Sequence, residues 1–231
     1  MEGKPKAVFF DIGHTLVEGS QPSARRLLAA RMAFSEKETK RAGRFIMVHP
    51  ATNPYGLAEA LAEILPNQSL SKIVTNLESL WEEQINCVTE IPGATRLLRS
   101  LKDNGIRLGV LSNIWHPFYE GFCRNCREIL GLLDYTVLSY RVGCKKPSLQ
   151  FFRHALAQAD LPAHSCCVVG DSYELDMAPA LQLGMRTVWL FKHPEKEKAA
   201  IAAMLRGEKA LPHSVAENLE QVLHYLKEME K

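Results

Sequence analysis

The chain has 231 residues, 46% of them hydrophobic and 23% charged, with 28 Lys and Arg against 26 Asp and Glu for a formal net charge of +2. Such a balance argues against nucleic acid or an anionic membrane surface as the partner. No apolar run approaches the roughly 18 residues of a spanning helix, and the opening MEGKPKAVFFD reaches an acid too soon to read as a secretory signal, so a cytoplasmic protein is expected.

Residues 7–10, AVFF, form an apolar run that reads as a buried strand ending on Asp11, with Gly13 permitting a tight turn. From Val17 to Val88 the apolar spacing is helical, over 22–34, 37–48, 55–65 and 70–87. Breakers at Ser35-Glu36, His49-Pro50, Asn53-Pro54 and Pro66-Asn67 separate these runs, and no strand pattern interrupts them. Beyond Pro92-Gly93, strands and helices alternate. Helix 94–104 is closed by Gly105, and strand 106–111 ends in Ser112-Asn113. Helix 118–130, strand 135–139 and helix 148–159 follow, then strand 166–169, ending in Gly170-Asp171. Helix 173–183 stops at Gly184 and leads to strand 187–191. Helices 195–205 and 215–229 close the chain, the last with Leu219, Val222, Leu223, Leu226 and Met229 on one face.

Repeated strand-helix units predict an α/β fold, a Rossmann-like parallel sheet with helices on both faces. The expected division is a core of residues 1–16 and 89–231, with a small all-helical unit, 17–88, inserted after the first strand. Parallel strands present their C-terminal ends on one edge, so Asp11, Ser112-Asn113 and Asp171 converge there. Lys146, in GCKKPSLQFF, stands just ahead of a helix, and Asp176 lies one turn beyond Asp171. Carboxylates as hard oxygen ligands, with a lysine and a hydroxyl, suit a Mg²⁺ and phosphate site. Each piece has a plainer use: Ser112 and Asn113 as cap and turn, Asp176 as a first-turn helix acid.

The ordered pieces VFFDIGHTL, VLSN, KKP followed by the FF of a helix, and VVGDSYELDMAPALQLGM resemble the haloacid dehalogenase superfamily of hydrolases. The likeness covers nearly the whole chain and extends to a helical cap inserted after the first strand. It implies a phosphatase acting on a small phosphorylated metabolite, with Asp11 as the nucleophile that takes up the phosphoryl group. By the same likeness Ser112 would bind a phosphate oxygen with Asn113 beside it, and Lys146 rather than Lys145 would neutralise charge on the phosphoryl group. Asp171, Asp11 and the backbone carbonyl of Gly13 would hold Mg²⁺, while Asp176 would support Lys146 or the water around the metal. No nucleic acid or membrane partner is implied, and the chain is expected as a monomer or homodimer.

The pattern breaks at Gly13, where phosphatases of the superfamily carry a second Asp. Its loss removes a general acid-base group of the kind typically worth about 10² to 10⁴ in rate, roughly 3 to 5 kcal/mol of barrier. The deficit weighs on alkyl phosphates, whose leaving oxygen needs a proton, more than on aryl or acyl phosphates. The alternative expectation is therefore a phosphate-binding or regulatory protein with weak or no turnover. His14 is the nearest substitute, and His116 is within reach by sequence, although a surface or packing role is its plainer use. Superfamily members without the second Asp include dehalogenases, which need no Mg²⁺, whereas this chain keeps Asp171. Others cleave phosphonates through an imine-forming lysine, and nothing marks Lys37, Lys40 or Lys72 for that role.

Of six cysteines, at 87, 123, 126, 144, 166 and 167, Cys123 and Cys126 form a CxxC. No second CxxC or His pair completes a zinc site, so reduced thiols are expected, with Cys166 and Cys167 on opposite faces of a strand. Arg25, Arg26, Arg31, Lys37, Lys40, Arg41 and Arg44 read as a solvated helix face, with reception of an anionic substrate as the competing use. Loop 49–56, HPATNPYG, is a candidate to face the site and set specificity.

Overall fold

The computed structural model describes residues 4–228. Its strands, in chain order, are β1 (Ala7–Phe10), β2 (Val17–Glu18), β3 (Thr89–Glu90), β4 (Arg107–Ser112), β5 (Tyr135–Leu138), β6 (Cys166–Gly170), β7 (Arg186–Leu190) and β8 (Ser214–Ala216). β2 and β3 pair antiparallel, and the other six form one parallel sheet in the order β5-β4-β1-β6-β7-β8. The expected α/β class with a parallel sheet is what the chain adopts.

A sheet covered on both faces needs strands that are apolar on both sides. All four residues of β1 are fully buried, and successive side chains point to opposite faces. Val8 and Phe10 join Leu97, Leu101 and Phe122 in one cluster, whereas Ala7 and Phe9 join Phe151 and Phe152 in the other. Cys166 and Cys167 divide between the same two clusters, on opposite faces as expected. Each buried Phe contributes about 1.5 to 3 kcal/mol. Phe9 fits because β4 carries Gly109 beneath it, where a Cβ would stand 2.6 Å from the ring.

Helices Ala24–Met32, Glu36–Phe45, Pro54–Ile64 and Leu70–Asn86 pack around a third cluster that includes Leu28, Leu61, Leu77 and Leu80. The breakers seen in the sequence are their start signals. Ser35 and Glu38 form a reciprocal capping box, and Asn53 accepts from Gly56 N at 2.8 Å ahead of Pro54. Such a cap is typically worth about 1 kcal/mol. A buried hydroxyl ties this segment to the sheet: Ser139 Oγ donates toward Met47 O (2.5 Å) and Ile114 O (3.0 Å) and accepts from Ile114 N (2.9 Å).

Four expectations need correction. The 17–88 stretch does contain a strand, β2, whose two residues are too few to display a period. The helix expected over 118–130 is two, His116–Asn125 and Arg127–Leu132, because the backbone leaves the helical region at Cys126 (φ −119°, ψ 45°). The helix expected over 173–183 opens with a π-helical turn, Tyr173–Met177, before Ala178–Gln182. Val215 belongs to edge strand β8, and the last helix is Leu219–Glu228. Met229 of the expected stripe lies outside the described residues. Among those residues no helix is long and apolar enough to cross a membrane.

Candidate active site

β1 lies between β4 and β6, where the strand order reverses, and open α/β sheets bind ligands in the crevice beyond such a point. Asp11 is the first residue past β1. Lys146 reaches it from the loop ahead of helix Leu149–Ala159. The lysine is 2% exposed, and its Nζ donates to Asp11 Oδ1 at 2.7 Å and to Asp176 Oδ1 at 2.5 Å. Asn113 fixes the main chain that carries it. Lys146 N donates to Asn113 Oδ1 at 2.8 Å, and Asn113 Nδ2 donates back to Lys146 O at 3.1 Å. Ser112, at the end of β4, is buried and lines the cavity, its hydroxyl without a protein partner among the described residues.

Asp171 follows β6, and its backbone carbonyl accepts from Trp189 Nε1 at 3.1 Å. Asp176 sits in the π-helical turn, an element frequent at functional sites, and its Oδ2 accepts from Ser172 N at 3.1 Å. Gly170 makes that approach possible, since a Cβ there would lie 2.4 Å from Asp176 Cγ. A glycine in a strand signals such closeness.

One carboxylate oxygen each from Asp11, Asp171 and Asp176 lie within 4.8 Å of one another. Burial alone would push the Lys146 ammonium down, but Asp11 and Asp176 outweigh it and hold the group above its ordinary range. Burial, reinforced by the charges of Asp11 and Asp176, pushes Asp171 up to about 7. Burial also raises Asp176, against the pull of Lys146. Three crowded carboxylates against one ammonium leave an excess of negative charge on hard oxygen donors. That donor set fits a divalent cation of the Mg²⁺ class.

Gly13 borders the same cavity. A Cβ there would meet nothing within 4 Å, and its φ lies outside the left-handed region, so neither space nor backbone excludes a side chain. His14 does adopt a left-handed backbone (φ 58°). Its Nδ1 is 2.8 Å from Glu18 Oε2, and its ring meets His193 edge-on at 5.4 Å between centroids. His116 packs away from the cavity, stacked on Trp81 at 5.7 Å and edge-on to Tyr140.

The cavity measures about 370 Å³. None of the seven basic residues named above lines it, nor do Lys72, Lys145 or any residue of loop 49–56. Lys37, Lys40 and Lys72 are exposed. The cysteines are unpaired, and burial pushes the Cys126 thiol up to about 11. Sequence reasoning missed His193 and Glu197, which line the cavity beyond β7. The rule that located Asp11 and Asp171, the C-terminal end of a parallel strand, applies equally there. Burial pushes His193 down and Glu197 up, and Glu197 Oε2 accepts from Tyr173 N at 3.3 Å.

A model of haloacid dehalogenase-like hydrolases matches residues 5–184. The chain belongs to that family. This haloacid dehalogenase-like hydrolase is similar to the pyrimidine 5'-nucleotidase of Escherichia coli, 34% identical over 131 residues, 53% of this chain and 56% of that protein. The likeness thus spans little more than half the length of that relative. The hydrolase is also similar to the glyceraldehyde 3-phosphate phosphatase of Methanocaldococcus jannaschii, 25% identical over 202 residues, 83% of this chain and 87% of that one. Its fold matches a HAD phosphatase from Thermococcus onnurineus with a TM-score of 0.61 at 18% identity, over 96% of this chain and 97% of that one. A 2-haloacid dehalogenase from Pseudomonas syringae superposes with a TM-score of 0.63 at 19% identity, over 97% and 99%. One fold therefore serves both chemistries, and the site has to separate them.

Proposed function

We propose that the chain is a Mg²⁺-dependent phosphatase of a small phosphorylated compound, working through an aspartyl-phosphate on Asp11. The observation that carries this reading is the Lys146 ammonium, buried between Asp11 and Asp176 at the mouth of β1. Asp11 Oδ2, the oxygen that Lys146 leaves free, attacks phosphorus. The bond to the leaving oxygen breaks with its electron pair going to that oxygen. Lys146 and the Ser112 hydroxyl hold the phosphoryl oxygens as charge builds on them, an electrostatic role that burial strengthens. Water then hydrolyses the acyl phosphate, releasing inorganic phosphate and restoring the Asp11 carboxylate. Asp11, Asp171 and the Gly13 carbonyl would hold Mg²⁺, which when bound would supply positive charge to offset that of the phosphoryl group.

Asn113 acts on Lys146 through its main chain and so positions it, and Asp176 fixes the ammonium from the other side. His14 supports the turn after Asp11 through Glu18. The cavity, at the small end of the roughly 300 to 1,000 Å³ of ligand pockets, favours a small substrate, as do the names of the relatives. The same reading makes 1–16 and 89–231 the catalytic core and 17–88 a cap, supported by the separate apolar cluster of the helical segment. It also puts the enzyme in the cytoplasm, as a monomer or homodimer, where its unpaired thiols stay reduced.

The test is an assay of phenyl phosphate with Mg²⁺, repeated on Asp11→Asn. Turnover is expected to fall by on the order of 10⁴ or more, as for loss of a nucleophile. Activity that survives the substitution sinks the reading. Gly13 favours one second reading, a phosphate-binding protein without turnover. That protein would hydrolyse no ester in a broad panel, yet phosphate with Mg²⁺ would raise its Tm.

A further inference from the structure

We propose that the substrate is an aryl phosphate, the ester of a small, uncharged aromatic alcohol. The inference rests on the phosphatase reading above and names the substrate class of the same site. Two independent features of the cavity carry it, one concerning the leaving oxygen and the other the group attached to that oxygen.

The first is Gly13. A side chain there would find open space and an ordinary backbone, so the fold leaves room for an acid that the sequence does not supply. Outside the charged cluster, the ionisable groups that line the cavity are His14, His193, Lys196 and Glu197, of which Lys196 is exposed to solvent. His14 Nδ1 is engaged by Glu18, and burial disfavours the imidazolium form of His193, the form that would serve as an acid. Glu197 is tied to the Tyr173 N–H. An alcohol must leave as an oxide nearly as basic as hydroxide, with water at about 15.7, unless it is handed a proton. A phenol, with a pKa of about 10 like a tyrosine side chain, leaves unassisted far more readily.

The second feature is the apolar part of the cavity lining. Met47, Ile114, Trp115, Phe118 and Leu175 supply apolar surface, two of them aromatic rings suited to offset or edge contact with a flat ligand. The helical segment adds only neutral polar groups, Ser20, Ser23 and Gln84. The Gln84 amide already donates to Ser20 Oγ at 2.7 Å. No charged side chain of the 17–88 segment lines the cavity among the described residues, although seven basic residues were available in its first helices. A doubly charged leaving group would find no opposite charge on the helical segment's part of the lining and would lose its hydration without return. In the reaction the aryl oxygen–phosphorus bond breaks, the pair stays on the phenolate oxygen, and the phenolate takes its proton from solvent after release.

The experiment measures kcat/KM with Mg²⁺ for a series of substituted phenyl phosphates, for glycerol 1-phosphate and for glyceraldehyde 3-phosphate, in the wild type and in Gly13→Asp. The wild type is expected to prefer phenyl phosphate over both alkyl esters by about 10² or more, the low end of a general acid's worth, with rates that fall steeply as the phenol becomes more basic. In Gly13→Asp the alkyl esters should gain about 10² to 10⁴, the phenyl esters less than tenfold, and the dependence on leaving-group basicity should flatten. Alkyl and aryl esters cleaved equally well by the wild type, or a wild-type series indifferent to the phenol, overturns the inference and leaves the phosphatase reading standing. Alkyl-ester turnover that vanishes in Glu197→Gln overturns it too, by revealing a general acid elsewhere. Hydrolysis that persists in Asp11→Asn instead defeats the phosphatase reading itself. The wild-type series alone decides the matter if Gly13→Asp fails to fold.

Discussion

The two ends of the cavity are built on opposite terms. At the sheet end, Asp11, Asp171, Asp176 and Lys146 crowd four formal charges together, each held by strand ends or by hydrogen bonds to neighbouring backbone. At the other end Met47, Trp115 and Phe118 present no charge at all. A buried ammonium between two carboxylates is costly to assemble and costlier to break, because removing one partner leaves the others uncompensated. An apolar wall is cheap to alter, since neighbouring rings can shift. The difference separates chemistry from selection within one pocket: substitutions at the charged end should abolish turnover, and those at the apolar end should move KM.

The largest effect is expected from Lys146→Met. It should end turnover and destabilise the fold by about 3 to 5 kcal/mol, the usual result of orphaning buried charge, read by denaturant unfolding and by assay. A folded, active variant would mean that the charged end is not the catalytic one.

Next comes pH. Asp171 is raised from its ordinary 3.8 to about 7, so between those values the folded chain holds a proton that the unfolded chain has released. Stability without divalent cations should therefore decline as pH rises through this window. A cation needs the ionised carboxylate, so apparent Mg²⁺ affinity should gain up to about tenfold per pH unit below 7 and level off above it. Calorimetric titration at several pH values checks this, and a flat profile removes Asp171 from the cation site.

A smaller change is expected from Gly19→Ala. The added methyl would stand 2.3 Å from the Phe118 ring and must displace it. KM for phenyl phosphate should rise by several-fold to about tenfold, equivalent to about 1 kcal/mol, with kcat and inhibition by inorganic phosphate unchanged. Equal changes in all three would merge the two ends of the pocket. Least of all should follow from Arg41→Ala, an exposed residue away from the cavity. Stability should stay within about 0.5 kcal/mol and KM should not move, whereas a salt-dependent rise in KM would show that the basic helices do receive the substrate.

This division also explains what was legible in the chain. Asp11, Ser112, Asp171 and the sheet around them were readable because strand ends are marked by apolar runs that stop on a polar residue, and parallel pairing brings those stops together. Lys146 was readable only through its company in KKP and the helix beyond. β2 and β8 were not, since two or three residues carry no period. The π-helical turn that carries Asp176 and its close approach to Gly170 are tertiary facts that no local pattern announces. The apolar wall is assembled from Met47, Ile114 and Phe118, residues distant in sequence that any core would also use, so nothing local distinguishes pocket from packing.

Ser139 has one proton and two carbonyls within reach, those of Met47 and Ile114. If the Met47 strand of contacts is drawn away, the hydroxyl can turn wholly to Ile114, and no donor is stranded in the interior. The seam between the helices and the sheet is thereby fastened by a clasp that can let go at little enthalpic loss.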